Sequence, residues 1–204
     1  MKLKLIGDVH GNHNYILNAM QTAHLYDLTI QLGDFHVGFG AEAYLPNVSS
    51  DKFKFIHGNH DNPKLCNNYK HHLGRYGVYE QDGKRIFFVA GAHSPDFGTR
   101  VPGLSMWYDE QLSPTEAELC LQLWEKECKT IDLVISHDGP PNFTMLLKGF
   151  FPDESTTTKL LWEIWKIHEP PIWVHGHWHR SFTKQIGNTK FISLNIGEEL
   201  ELDL

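Results

Sequence analysis

Cysteine is scarce in this sequence. Three residues, Cys66, Cys120 and Cys128, are scattered over 204 positions, and no two form a C-x-x-C pair. That argues against a disulfide framework or an all-thiolate zinc site. It points to reduced thiols in a reducing compartment, so a cytoplasmic location is expected. Long apolar runs are also missing. The opening MKLKLIGDVHG has only a short apolar stretch before Gly7 and Asp8, too short for a signal-peptide core, and no other stretch reaches transmembrane length. Positive charge is in deficit: 18 Lys and Arg stand against 25 Asp and Glu, for a net charge of −7. A broad surface for gripping long nucleic acid is not expected from that balance. No internal repeat, low-complexity tract or linker breaks the chain, and its length predicts one domain over residues 1–204.

What is present is an ordinary globular composition, 41% hydrophobic and 21% charged, able to bury a core without covalent help. Histidine, with 14 residues, is the outlier. Short apolar runs at 3–6, 28–32 and 52–56 read as strands, with a helix over roughly 13–24 capped by Asn12 and a loop over 35–51. Residues 77–92 read as a hairpin turning at Asp82-Gly83. SPTE at 113–116 is a capping box opening a helix whose Ala117, Cys120, Leu121, Trp124 and Cys128 share one face. A buried strand at 132–136, a helix at 157–168, a strand at 171–174 and two final strands around SFTKQI and TKFISL complete the reading. The order predicts a parallel α/β arrangement.

Five of the predicted strands end on polar residues: Asp8-Val9-His10, Asp34, Asn59-His60-Asp61, His137-Asp138 and His177-Trp178-His179. Carboxyl ends of strands in α/β sheets are where ligands bind. The donors are oxygen and nitrogen without sulfur, which suits Mn, Fe, Zn or Ni. Asp8 and His10 can turn toward one ion as the strand breaks, and Asp34 can bridge two with its two oxygens. Asn59 offers a neutral amide oxygen, and His137, His177 and His179 offer ring nitrogens. Seven donors around two ions leave positions open for water and substrate, as in catalytic sites.

GDVHGN, GD, GNHD, a lone histidine after a strand and GHWH, in this order, resemble the calcineurin-like metallophosphoesterase family, with motifs spanning residues 8–179. The resemblance implies a β-sandwich of two mixed sheets flanked by helices, with the metal site at strand C-terminal ends. It implies that Asp8, His10 and His179 hold one divalent ion, that Asn59, His137 and His177 hold a second, and that Asp34 bridges them. Mn²⁺ is the first expectation, with Fe, Zn or Ni next. His60 is then the candidate general acid, and a hydroxide bridging the ions the nucleophile of a phosphomonoester or small phosphodiester hydrolase. The family motif places Gly directly before its ligand, which selects Gly176-His177 and leaves His175 as a packed residue. Asp61 reads as a turn or capping residue, His36 and His57 as supporting residues, and His13, His24, His71, His72 and His168 as surface residues.

Ser/Thr protein phosphatases of this superfamily carry GD-x-V-D-R-G and GNHE, whereas this chain has GDFHVGFG and GNHD. Val37 and Gly38 replace the Asp and Arg, so a dedicated protein phosphatase is not implied, and what orients His60 is left open. Residues 91–113 form a long irregular stretch similar to one in small bacterial and phage members. Arg100 in it is a candidate phosphate clamp, the other reading being an ion pair with Asp96 or Glu110. Trp107 and Tyr108 could wall the site or belong to the core. Two alternatives accompany the small-phosphoester reading: a nuclease or nucleotide phosphodiesterase, and a non-catalytic protein-binding scaffold of the kind the retromer subunit with this fold represents. The intact His60, His137, His177 and His179 speak against the scaffold. No membrane partner is expected.

Overall fold

The computed structural model describes residues 1–47, 50–149 and 154–204. In chain order the elements are β1 (Lys2–Ile6), α1 (His13–Thr22), β2 (Leu28–Gln31), β3 (Phe53–Phe55), α2 (Pro63–Cys66), β4 (Tyr76–Gln81), β5 (Lys84–Val89), α3 (Pro114–Glu127), β6 (Leu133–Ser136), α4 (Pro141–Lys148), α5 (Thr156–Ile167), β7 (Ile172–His175), β8 (Phe182–Ile186), β9 (Thr189–Ser193) and β10 (Glu199–Asp203). One sheet has the order β10-β1-β2-β3 and the other β4-β5-β6-β7-β9-β8. Within them β1, β2 and β3 are parallel to one another, as are β5, β6, β7 and β9, while β10, β4 and β8 run antiparallel at the edges.

The sheets are buried on both faces, and this produces four layers. Leu3, Leu5, Leu28 and Ile30 of the first sheet pack with Ile86, Leu133, Ile135 and Val174 of the second in one apolar core. The alternate residues Phe87, Val134, Trp173 and Phe191 face outward and are covered by Trp124 of α3 and Leu161 and Ile164 of α5. On the other side Ile6, Phe53 and Phe55 are covered by Ile16 and Ala19 of α1 and Cys66 of α2. This is the two-sheet, helix-flanked sandwich that the motifs imply, and alternation along each strand assigns its two faces.

The parallel strands of both sheets end on one edge of the sandwich, and the connections ending there carry the motif residues. The capping box of α3 forms, with Ser113 and Glu116 exchanging hydrogen bonds, and the hairpin turns through Asp82 and Gly83, both at positive φ (52° and 72°). Local differences from the sequence reading have local causes. The first helix stops at Thr22 and tightens into a 3₁₀ turn over Ala23–Leu25. Ala41–Asn47 is a 3₁₀ segment inside the expected loop, of which residues 48 and 49 lie outside the described residues. Strand β10 reads ELELD and covers the edge of β1 with charges outward, so it lacks an apolar run to announce it. Among the described residues no helix is long and apolar enough to cross a membrane.

Candidate metal centre

All seven expected donors converge at the strand ends. Asp8, His10, Asp34 and His179 present ligand atoms within 4.8 Å of one another. His179 Nε2 is 3.0 Å from Asp8 Oδ2 and 2.8 Å from His10 Nε2, and His10 Nε2 is 3.7 Å from Asp34 Oδ2. The other oxygen of Asp34 faces a second group: Oδ1 is 3.4 Å from His137 Nε2, which lies 3.0 Å from Asn59 Oδ1. The His177 ring packs 5.1 Å from that of His137. His137 Nδ1 donates to the Leu32 carbonyl at 2.8 Å, which aims Nε2 at the donors.

Backbone strain marks the same residues. His10, Asp34, His177 and His179 have φ of 45°, 56°, 66° and 51°, a region non-glycine residues rarely occupy. Side chains are thereby turned off the strand axis toward the centre. Glycine is required where backbone passes close: a Cβ at Gly176 would overlap the Asp8 carboxylate, and one at Gly58 the Asp34 carboxylate. The tips are tied together by His10 N–H to Asp34 O at 2.8 Å and Gly176 N–H to His137 O at 3.0 Å. Asp61 accepts from the N–H groups of Phe35, Val37 and Gly58 at 3.1, 2.8 and 2.8 Å, stapling the turn after β3 to that after β2.

Burial sets the electrostatics. It pushes the Asp34 carboxyl up to about 7, with His137 opposing and Asp8 and Asp61 adding to the rise. It also pushes Asp8 up, but the His179 hydrogen bond, the His137 charge and the His177 N–H outweigh it and hold that carboxyl at about 2. Burial lowers His10 to about 4, against the pull of Asp8. Facing imidazole nitrogens and buried carboxylates, all oxygen and nitrogen, fit divalent cations: an ion would take the lone pairs that the strained tips aim at one another.

A sequence profile of the calcineurin-like phosphoesterase family matches residues 1–181. The chain belongs to the calcineurin-like phosphoesterase family. It is a phosphoric ester hydrolase. A search of curated protein sequences finds no match. Solved structures are similar in fold: a hypothetical protein from Thermus thermophilus aligns with TM-score 0.53 at 14% identity over 95% of this chain and 75% of that one. A putative 5′-nucleotidase from Staphylococcus aureus, in complex with alpha-ketoglutarate, aligns with TM-score 0.56 at 15% identity over 99% of this chain and 50% of that one. GAP50, the anchor in the inner membrane complex of Plasmodium, aligns with TM-score 0.52 at 14% identity over 96% and 72%. The phosphoesterase chain thus spans half the length of that nucleotidase, and at such identities the likeness concerns the fold.

Around the donors this phosphoesterase has a cavity of about 380 Å³, lined by Asp34, Asn59, His177 and His179 and by His60, Arg100, Lys148 and Trp178 among others. Arg100 does pair with Asp96, Nε to Oδ1 at 2.7 Å, and it also donates to the Asn59 carbonyl at 3.3 Å and to His60 Nε2 at 2.6 Å. Burial and the Arg100 charge together lower His60 to about 3, so its ring is neutral with the proton on Nδ1. The phosphatase-type carboxylate that Val37 displaces is thus replaced by a guanidinium from another loop.

The sequence reading misses a support for Asn59. Its Nδ2 donates to Ser94 Oγ at 3.1 Å, and Ser94 Oγ donates to the buried carboxylate of Glu110 at 2.7 Å. This chain fixes the Asn59 amide with its oxygen toward His137. Lys148 is missed too, since nothing local marks it. His36 is closer than expected, its Nε2 3.3 Å from His10 Nδ1. His71 and His72 are corrections: His71 is buried, with Nδ1 3.0 Å from the Phe53 carbonyl, and His72 is half-buried, with Nε2 3.0 Å from His57 Nδ1, because the chain after α2 pairs beside β3, Phe55 N–H donating to the His71 carbonyl at 2.9 Å. His175 is buried against Phe143, and His93 lies 3.8 Å from Glu110. Trp107 packs on Gly38 and Phe39, and Tyr108 is 78% exposed; both line a neighbouring groove and not the cavity over the donors.

Proposed function

We propose that this phosphoesterase cleaves a phosphomonoester or small phosphodiester in the cavity over Asp34, with Asp8, His10 and His179 holding one divalent ion, Asn59, His137 and His177 a second, and Asp34 shared. The observation that carries this is the division of Asp34: one oxygen faces His10, the other His137. When bound, two ions, Mn²⁺ first among those suited to this donor set, supply Lewis acidity to phosphoryl oxygens and lower the pKa of a water toward neutrality. The chain's own residues do the rest. His60, neutral in the empty site, would take a second proton as an arriving phosphoryl anion draws Arg100 off Nε2, and would hand that proton to the departing oxygen. Arg100, 6% exposed at its side chain and lining the cavity, orients the phosphoryl group and stabilises growing charge. The strained strand ends keep the donors fixed so that little reorganisation accompanies reaction. Three free, buried cysteines support the reducing, cytoplasmic setting of this reading.

The test combines turnover with metal content. Protein loaded in turn with Mn²⁺, Ni²⁺, Zn²⁺ and Mg²⁺ is assayed on chromogenic mono- and diesters, and its bound metal is counted. About two ions per chain and metal-dependent hydrolysis are expected. Asp34→Asn should lose more metal than His179→Ala or His177→Ala. A count near zero at saturating metal, or full activity after chelation, overturns the reading.

A further inference from the structure

The cavity over the donors carries two cations, and they stand in different electrostatic situations. Arg100 has three of its five N–H donors turned to Asp96, the Asn59 carbonyl and His60. Lys148, half-buried in the last turn of α4, lines the same cavity and pairs with no carboxylate among the described residues. Its ammonium instead lies 5.2 Å from the centre of the Trp178 ring. Such a contact is weak support for a lysine withdrawn from water.

Lys148 is nonetheless held in place from three sides. Gly149 ends α4 at φ 83°, its N–H returning to the Met145 carbonyl at 2.8 Å. Arg180 donates to the Leu147 carbonyl at 3.1 Å, tying that turn to the segment after β7. Trp178, under the ammonium, is itself fixed by its Nε1–H donating to the buried Asp138 carboxylate at 2.8 Å, with the His177 ring 4.8 Å away. In the sheet order β5-β6-β7, the loop carrying Arg100 and the loop carrying Trp178 leave from strands on either side of β6, whose end bears His137. Lys148 itself ends α4, which follows β6, so the two cations reach the cavity from the connections after β5 and β6, with Trp178 coming from that after β7. A volume of about 380 Å³ is within the range that takes a small organic ligand, more than a lone phosphate requires.

We propose that Lys148, seated on Trp178, forms an anion subsite for a second phosphate of the substrate, distinct from the phosphoryl group that is cleaved. The substrate class is then a small phosphoester bearing a further phosphate on its alcohol part. The proposal rests on the phosphoester reading above for which group reacts, and for the rest on an ammonium that lines the cavity and pairs with no carboxylate among the described residues. A single charged contact in a partly desolvated site discriminates by roughly tenfold or more.

The experiment pairs phenyl phosphate with the three phenylene bisphosphates, whose second phosphate lies at three different distances on the same ring. For metal-loaded wild type, Lys148→Ala and Lys148→Arg, both kcat/KM and calorimetric affinity are measured, with melting temperature as the check on folding. Wild type should favour at least one bisphosphate over phenyl phosphate by about tenfold. Lys148→Ala should bring that ratio close to one, and Lys148→Arg should preserve most of it. No preference in wild type, or an equal loss on mono- and bisphosphate in Lys148→Ala, overturns the subsite. If binding shows the Lys148-dependent preference while no ester is hydrolysed, the subsite stands and the hydrolytic reading fails. If esters are hydrolysed without the preference, the hydrolytic reading stands and the subsite fails.

Discussion

At the scale of single residues, His60 depends on Arg100. Among the described residues the ring pairs with no carboxylate; its Nε2 accepts from the guanidinium at 2.6 Å, and Asn59, the residue beside it, lends its carbonyl to the same side chain. A residue that both fixes the acid and faces the phosphoryl group should show its double role in kinetics. His60→Gln should lower kcat by roughly 10²–10³, less on a nitrophenyl ester, whose leaving oxygen needs little protonation. Arg100→Ala should lower kcat/KM by roughly 10–10³, and Arg100→Lys should recover little because an ammonium lacks the planar fork. In the double variant the losses should fall short of their sum in free energy, because removing either member spoils the other. Additive losses in a double-mutant cycle would show that Arg100 acts on phosphate without acting through His60.

At the scale of elements, the stretch after β5 supports the candidate metal centre through the Asn59 amide. Glu110 anchors Ser94, and Ser94 holds the Asn59 amide, across a loop with no helix or strand of its own beyond a short 3₁₀ turn at Phe97–Thr99. Ser94→Ala frees that amide to rotate. Metal affinity, measured by competition with a chelator, should weaken by roughly 10–100-fold while the protein stays folded. An unchanged affinity would mean that His137 alone orients Asn59. This element also shows where sequence reading stops. The convergence of the candidate donors was legible because each follows a strand, and strands announce themselves by apolar runs such as LTIQL and DLVIS. The relay was not, since its three members lie at 59, 94 and 110 and meet only when two loops close on one another. Lys148 and strand β10 escaped for a related reason. A charged residue in a short helix, and a strand alternating Glu with Leu, acquire their meaning from what they face.

At the scale of the whole molecule, the centre couples metal to protons. Burial raises Asp34 to about 7, and the charges of Asp34 and Asp8 lift His137 above its ordinary value although burial alone would lower it. Without metal, therefore, this pair still binds protons near neutrality that the unfolded chain has released from its carboxylates. The raised Asp34 lowers folded-state stability as pH climbs from about 4 to 7. The histidines act in the other direction: His10, His72 and His175 are lowered by burial to about 4 and His60 to about 3, so the unfolded chain binds more protons between those values and about 6.5. Their stability is present above 6.5 and lost as pH falls toward 4. Burial also raises Asp138 to about 6 and lifts Asp61 and Glu110, but the lowered histidines, which include His36, His57, His71 and His177, outnumber the raised carboxyls, so the metal-free protein should be acid-labile, its melting temperature rising from pH 4 to about 6.5. A divalent ion held by Asp34 and His137, as proposed, would require both to be unprotonated at the atoms it contacts, so it would displace the protons they hold. Calorimetric metal titrations in two buffers of different ionisation enthalpy should show about one or more protons released per chain at pH 6, declining toward none by about pH 9. The melting-temperature gain from metal at fixed concentration should grow across the same interval. Proton release independent of pH, or a metal-induced gain largest at pH 5, would show that Asp34 and His137 are already unprotonated in the empty centre.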